Sequence, residues 1–169
     1  MEATTHASHS RRLASSPVAF LRLIGFIVVC QLAGALGAVA TDTTLYATIE
    51  RPALAPPGWV FGPVWLALYT AMGVAGWLVW SAAPSRARSR ALGWFAVQLV
   101  LNAAWTPVFF GVPSFGGGLV VIVALLAAIV ATMIVMARAS RLAAGLFAPY
   151  LAWVGFATYL NAAIWWLNR

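Results

Sequence analysis

The amino-acid sequence predicts an all-α polytopic membrane protein, a bundle of five transmembrane helices, and three observations lead to that fold class. Of the 169 residues, 63% are hydrophobic and only 8% are charged, whereas a typical soluble domain is roughly half apolar and about a quarter charged. The mean hydropathy is +0.93. The apolar residues gather into five segments, each near the length of about 20 residues that crosses a bilayer. This composition excludes an ordinary soluble domain, and it also excludes a disordered chain.

The chain begins with a polar stretch, residues 1–17, which is rich in Ser, Thr, Ala and His and predicts a flexible tail. His6 and His9 lie in it. Because a metal site needs several ligands on a rigid element, no metal site is predicted there. Residues 18–169 are expected to form a single membrane domain.

The first apolar segment, about 18–40, predicts helix 1. A cleaved signal peptide is the alternative, since Arg11 and Arg12 precede the segment and Ala38-Val39-Ala40 resembles a signal-peptidase site. The apolar region of a signal peptide is usually only about 7–15 residues long. The segment here is longer, which favours a retained helix. The single cysteine, Cys30, lies inside it and is expected to be a small buried apolar residue.

Four further apolar segments, at about 60–82, 91–111, 117–137 and 143–167, predict helices 2 to 5. They are expected to be helical because a backbone in lipid must satisfy its own hydrogen bonds. The connection at 41–59 is the only long one. A long loop in a compact domain is commonly functional, often as a lid.

The basic residues are all arginines, and their distribution predicts the topology. With five helices, the tail and the loops at 83–90 and 138–142 share one side and carry seven arginines, while Arg51 and Arg169 lie on the other. The positive-inside rule then places the N-terminus in the cytoplasm and the C-terminus and the 41–59 loop outside. The absence of lysine from an alanine-rich chain indicates a bacterium, and so its plasma membrane. Nucleic-acid binding is not predicted, because the arginines form no basic stripe on one face.

The predicted helices contain no Asp, Glu, Lys or His, and Arg22 is the only charged residue near one of them. Acid–base catalysis therefore has no candidate pair in the bundle. Proton- or ion-coupled transporters usually carry ionisable groups at membrane depth, so a conventional proton antiporter is not expected either.

Three helices each carry aromatic or amide side chains along one face. Packing between helices would explain any one of these residues. Together they predict an apolar pocket with a few oriented polar groups, suited to a large flat aromatic ligand. The residues are Trp65 and Tyr69 on helix 2, Gln98, Asn102, Trp105 and Phe109 on helix 3, and Tyr150, Trp153, Ala157 and Asn161 on helix 5.

Three ordered motifs lie at these positions and resemble those of the TspO/MBR family, which comprises tryptophan-rich sensory proteins of bacteria and the mitochondrial translocator protein, or peripheral benzodiazepine receptor. The resemblance runs from about residue 20 to residue 169. The motifs are Pro56-Pro57-Gly58-Trp59-Val60-Phe61 with Val64-Trp65, then Asn102-x-x-Trp105-Thr106-Pro107-Val108-Phe109-Phe110, then Pro149-Tyr150-Leu151-x-Trp153 with Ala157, Leu160-Asn161 and Trp165.

The resemblance implies a five-helix bundle, usually a homodimer, with a pocket that binds tetrapyrroles such as protoporphyrin IX and haem, or other lipophilic molecules. Small residues along helix 3 are compatible with a dimer. No further cofactor is implied. Tyr46 resembles the loop tyrosine over the pocket, Asn102 the pocket asparagine, and Ala157 the small residue that affects ligand fit. Trp65 and Trp153 resemble the two tryptophans linked to porphyrin binding and to light-dependent porphyrin degradation, so they would be the catalytic residues if that activity exists.

Two positions depart from the family pattern. Leu54 stands where the family often has a tryptophan two residues before the Pro-Pro pair. The sterol motif of mitochondrial members needs Tyr followed within about six residues by Lys or Arg; Tyr159 is too far from Arg169, so a sterol is not the expected ligand. Three functions stay open. The aromatic and amide side chains along one face of three helices favour a tetrapyrrole receptor or sensor. The alternatives are a light-dependent porphyrin-degrading enzyme and a transporter of lipophilic molecules.

Overall fold

The structure is a computed structural model that describes residues 17–39, 48–111 and 115–169. Five stretches of helix in these ranges are long and apolar enough to cross a membrane, which confirms the predicted fold class. The described ranges contain no β-strand. Most of the predicted tail and the loop residue Tyr46 lie outside the described residues.

The helices are numbered here in chain order. A 3₁₀ turn, Gly58–Val60, precedes α2, and a π-helical turn, Pro107–Gly111, continues α3. The helices are α1 Pro17–Val39, α2 Phe61–Ser81, α3 Arg86–Thr106, α4 Phe115–Ala139, α5 Arg141–Leu146 and α6 Ala148–Leu167.

The predicted boundaries differ from the observed ones most clearly at helix 3, which begins at Arg86 instead of residue 91. The earlier start follows from a capping contact: the Ser85 hydroxyl accepts a hydrogen bond of 3.1 Å from the Arg88 N–H. Part of the predicted 83–90 loop is therefore the first turn of α3. At its other end, Pro107 has no N–H to donate into the helix, and the chain widens there into the π turn.

The predicted fifth helix is two helices in the structure. Ser140 caps α5 by accepting a 3.2 Å hydrogen bond from the Ala143 N–H. Pro149 lies in the first turn of α6, where a missing N–H is tolerated, but it cannot donate back to a preceding turn. The helix is therefore interrupted at Phe147, whose N–H instead bonds the Ala144 carbonyl at 3.1 Å.

The bundle is held together by close helix contacts. α1 packs on α2 and α3, α3 packs on α4, α4 packs on α6, and α2 packs on α5. Gly73 permits the close approach of α1 and α2, because a Cβ there would lie 2.5 Å from the Ile27 Cα. Large apolar side chains cover much of the outer surface, as expected where the solvent is lipid.

Candidate functional site

A cavity of about 720 Å³ lies among α1, α2, α3 and α6. Its walls are mostly apolar, with a few amide, hydroxyl and indole groups. A pocket of this size and character is typical of small-molecule sites. The lining residues are Gln31, Gly34, Ala35, Ala38, Gly58, Phe61, Gly62, Trp65, Leu66, Tyr69, Asn102, Trp105, Thr106, Phe109, Phe110, Ala157, Leu160, Asn161 and Ile164.

Stacked aromatic pairs form two of these walls. On α2 the ring of Trp65 stacks on Tyr69, with 5.2 Å between centroids and 25° between planes. Trp105, at the end of α3, stacks on Phe109 of the π turn, with 5.6 Å and 27°. The spacing of four residues places each pair on one helix face. Both pairs present large, polarisable surfaces to the cavity.

Buried polar side chains behind the Trp65 wall are joined in a chain of hydrogen bonds. The Tyr69 hydroxyl donates to Asn102 Oδ1 at 2.5 Å, and Asn102 Nδ2 donates to the Tyr150 hydroxyl at 2.9 Å. Tyr150 in turn donates to Gln98 Oε1 at 3.1 Å, and Gln98 Nε2 donates to the Phe95 carbonyl at 3.0 Å. The chain links α2, α3 and α6, and it satisfies polar groups that would be costly to bury alone.

Two further amide side chains of the cavity are also held in place. Asn161 Oδ1 accepts from Trp105 Nε1 at 3.3 Å, and Asn161 Nδ2 donates to the Ala157 carbonyl at 2.9 Å. Gln31 Nε2 donates to the Leu66 carbonyl at 3.0 Å and to the Thr70 hydroxyl at 3.1 Å. The orientation of each amide is thus set by the protein, which leaves the cavity with polar groups in defined positions.

The sequence-predicted residues fall into three groups. Seven line the cavity: Trp65, Tyr69, Asn102, Trp105, Phe109, Ala157 and Asn161. Gln98 and Tyr150 do not line it but are fully buried in the hydrogen-bond chain. Trp153 does not line it either; it packs edge-on against Phe61, with 5.8 Å between centroids. The third group is Tyr46 alone, outside the described residues, and the ligand role of every residue stays a prediction.

The indole N–H of Trp153 is buried, and no described residue accepts its hydrogen bond. Phe61, against which Trp153 packs, does line the cavity. The ring of Trp153 therefore contacts the cavity lining at Phe61.

The sequence analysis did not identify the wall that α1 supplies. Gln31, Gly34, Ala35 and Ala38 line the cavity from that helix. Two signals were present: an amide in an otherwise apolar run, and small residues spaced so that they share a face with it. Position 34 accommodates only glycine without rearrangement, since a Cβ there would overlap the ring of Tyr69.

The loop before α2 is hydrogen-bonded to the C-terminal end of α6, beside the cavity. Asn168, just beyond α6, accepts from the Glu50 N–H at 3.0 Å, and its Nδ2 donates to the Glu50 carbonyl at 3.0 Å. The same Nδ2 lies 2.8 Å from the carbonyl of Ile164, a lining residue. The end of α6 therefore positions the described part of this loop, residues 48–57.

The described lining residues carry groups that can bind and orient a ligand. None of them is Asp, Glu, His, Lys or Arg. Within the described residues, no group of three or more His, Cys, Asp or Glu side chains could hold a metal ion. The lining offers stacking surfaces, amide groups and hydroxyls, and no described pair suited to general acid–base catalysis.

Comparisons with known proteins agree with this architecture. The model of the TspO/MBR family matches residues 26–167. The human translocator protein is 43% identical over 122 residues, which cover 71% of this chain and 72% of that protein. The tryptophan-rich protein TspO of Chlorobaculum tepidum is 38% identical, covering 86% of this chain and 92% of that protein, and protein CrtK of Rhodobacter capsulatus is 34% identical, covering 85% and 90%.

Proposed function

Because the chain belongs to the TspO/MBR family and is a multi-pass membrane protein, we propose that it is a receptor or sensor that binds a tetrapyrrole, such as protoporphyrin IX or haem, in the cavity among α1, α2, α3 and α6. The observation that carries the proposal is the pair of aromatic stacks that line this cavity, Trp65 on Tyr69 and Trp105 on Phe109. A flat macrocycle gains about 0.5–1.5 kcal/mol per ring pair beyond the area that it buries.

The polar groups support the same ligand class. Asn102 and Asn161 are buried and held by hydrogen bonds, so they present fixed groups to a ligand edge. The cavity volume of about 720 Å³ lies within the range of known small-molecule pockets. None of the described lining residues is a histidine or a cysteine that could serve as an axial ligand for haem iron, and the titration below therefore uses the metal-free macrocycle. No additional cofactor is needed.

The test is a titration of protoporphyrin IX into the purified protein, followed by quenching of tryptophan fluorescence. We expect Trp65→Leu and Trp105→Leu each to lower the affinity about tenfold, the equivalent of about 1.4 kcal/mol. Trp94→Leu is the matched control, because Trp94 is 41% exposed and does not line the cavity. Equal affinities for all three variants would exclude this cavity as the site.

A second candidate is light-dependent oxidation of bound porphyrin by dioxygen, in which the excited ligand supplies the reactivity. The absence of acid–base groups from the described lining favours it over conventional catalysis. Illumination of the complex in air, with and without Trp65→Leu, tests it. A new bilin-like absorbance that depends on Trp65 would support the enzyme. An unchanged porphyrin spectrum would leave receptor or sensor binding as the remaining candidate function.

For the assembly we propose a homodimer through the outer face of α3. Gly93, Ala96, Val97 and Val100 are exposed there and form a smooth apolar surface that permits close helix approach. Because Cys30 is fully buried, Ala96→Cys supplies a specific thiol for crosslinking in lipid. A crosslinked dimer would support this interface, and Val123→Cys on the exposed face of α4 is the control position.

For the location we propose a bacterial plasma membrane with the N-terminus in the cytoplasm. Arg86, Arg88, Arg90, Arg138 and Arg141 all lie at the end of the bundle where α1 begins, and the positive-inside rule places that end in the cytoplasm. Labelling of Ser85→Cys and Asn168→Cys in intact cells with a membrane-impermeant reagent tests this orientation. Labelling at position 168 alone is the expected result.

A further inference from the structure

A second depression lies on the outer surface of the bundle at the end where α1 begins. Its volume is about 390 Å³, and it shares no lining residue with the large cavity. It is bounded by Arg22, Gly25, Phe26 and Val29 of α1, by Trp80 at the end of α2, and by Phe95 of α3. We call it the Arg22 groove.

The Arg22 groove is polar at one end and apolar along its length. Its α1 residues follow the spacing i, i+3, i+4, i+7 and so lie on one face of the helix. From Arg22 to Val29 the helix rises about 10 Å, so the groove runs along the helix axis from the charged end of α1 towards its middle. The base is aromatic: Phe26 contacts Trp80 at 6.1 Å and Phe95 at 6.4 Å between centroids. This polarity matches an amphiphile with its head at Arg22.

A second arginine, Arg88, lies over one wall of the Arg22 groove. The Arg88 guanidinium carbon is 4.8 Å from the centroid of the Trp80 ring, which lines the Arg22 groove. Its Nε is buried, and none of the described residues accepts a hydrogen bond from it. A buried donor of a charged group is costly to leave without an acceptor, and an acceptor from outside the chain would remove that cost.

The described residues offer no acidic partner to these arginines. The only acidic side chain in the described ranges is that of Glu50. Its backbone is bonded to Asn168, at the opposite end of the bundle. Among the described residues, no acidic side chain neutralises the positive charge at the head of the Arg22 groove.

We propose that the Arg22 groove binds an anionic phospholipid. Arg22 and Arg88 contact the phosphate, for which the guanidinium group is well suited in both charge and geometry, and an acyl chain lies along Gly25 and Val29. A net negative headgroup is preferred over a zwitterionic one, because a choline or ethanolamine cation would add a third positive charge beside two arginines.

Gly25 allows the Arg22 groove to be blocked without disturbing the fold, since a Cβ at this position meets no atom within 4 Å. Gly25→Leu therefore fills the space intended for the acyl chain. Gly155→Leu is the matched control: Gly155 is also a helical glycine with no atom within 4 Å of an added Cβ, and it lies on α6 outside the groove. For the charges, Arg22→Gln and Arg88→Gln are compared with Arg141→Gln, an exposed arginine at the same end of the bundle.

The experiment is native mass spectrometry of the full-length protein released from micelles that contain equal amounts of phosphatidylglycerol and phosphatidylcholine. We expect the wild type to retain phosphatidylglycerol preferentially. The retained fraction should fall about tenfold in Gly25→Leu and in the combined Arg22→Gln, Arg88→Gln variant, and stay unchanged in Gly155→Leu and Arg141→Gln.

Three results would overturn the proposal. Equal loss in Arg141→Gln would mean a general attraction of acidic lipid to the basic end. Undiminished retention in Gly25→Leu would place the lipid elsewhere. Displacement of the lipid by inorganic phosphate alone would indicate an anion site without an acyl-chain groove. Since neither the glycine nor the two arginines line the large cavity, unchanged protoporphyrin quenching in each variant shows that the protein is folded.

Discussion

Removal of the Tyr150 hydroxyl tests the hydrogen-bond chain that joins α2, α3 and α6. In Tyr150→Phe the ring stays, including its edge-on contact with Trp65 at 6.3 Å between centroids. Two hydrogen bonds are lost, one from Asn102 Nδ2 at 2.9 Å and one to Gln98 Oε1 at 3.1 Å. Both amides are buried, with 3% and 0% of their surface exposed.

The expected loss of stability follows from these two bonds. A hydrogen bond between membrane helices is worth on average about 0.6 kcal/mol and at most about 1.7 kcal/mol. An amide left buried without its partner costs about 1–3 kcal/mol. Since each amide keeps one other bond, to Tyr69 and to the Phe95 carbonyl, the total is set by the two lost bonds and is about 1.2–3.4 kcal/mol.

The assay is reversible unfolding in mixed micelles as the fraction of denaturing detergent rises, monitored by helical circular dichroism. Tyr159→Phe is the matched control: it is the same substitution on the same helix, at a side chain that is 47% exposed. We expect the control to lie within about 0.5 kcal/mol of wild type. If Tyr150→Phe were as stable as Tyr159→Phe, the hydrogen-bond chain would not contribute to holding the three helices together.

Three further predictions concern other contacts of the cavity and core. In Gly34→Ala the new Cβ overlaps the Tyr69 ring, so we expect a loss of about 1–3 kcal/mol in the same unfolding assay, whereas Gly25→Ala, whose Cβ meets open space, should lose nothing. Met72 is fully buried, and Met72→Ala should cost about 2 kcal/mol, the low end of the range seen in soluble cores; a neutral result would contradict the packing. Asn168→Ala removes both hydrogen bonds to the loop backbone, so deuterium exchange should accelerate at the loop amide that Asn168 binds while α6 stays protected; unchanged exchange would mean that other contacts hold the loop.

Several features of the site could be predicted from the sequence because they depend on neighbours along one helix. Trp65 and Tyr69 are four residues apart, as are Trp105 and Phe109, and each pair stacks in the structure. Their common face follows from the helical repeat alone. The capping contacts of Ser85 and Ser140 are local too. They place the starts of α3 and α5 earlier than the apolar content of the sequence predicted.

The five apolar spans and their helical structure can be predicted from the amino-acid order, because length, hydropathy and the need to satisfy the backbone in lipid are properties of each segment alone. Which helix faces meet is visible only in the folded bundle. The tertiary structure placed α1 in the cavity wall, set Trp153 against Phe61, and joined Asn102 to Tyr69 and Tyr150. The physical reason is that the lipid-facing and inward faces of these helices are both apolar, so the rotation of each helix is set by close packing and by a few interhelical hydrogen bonds.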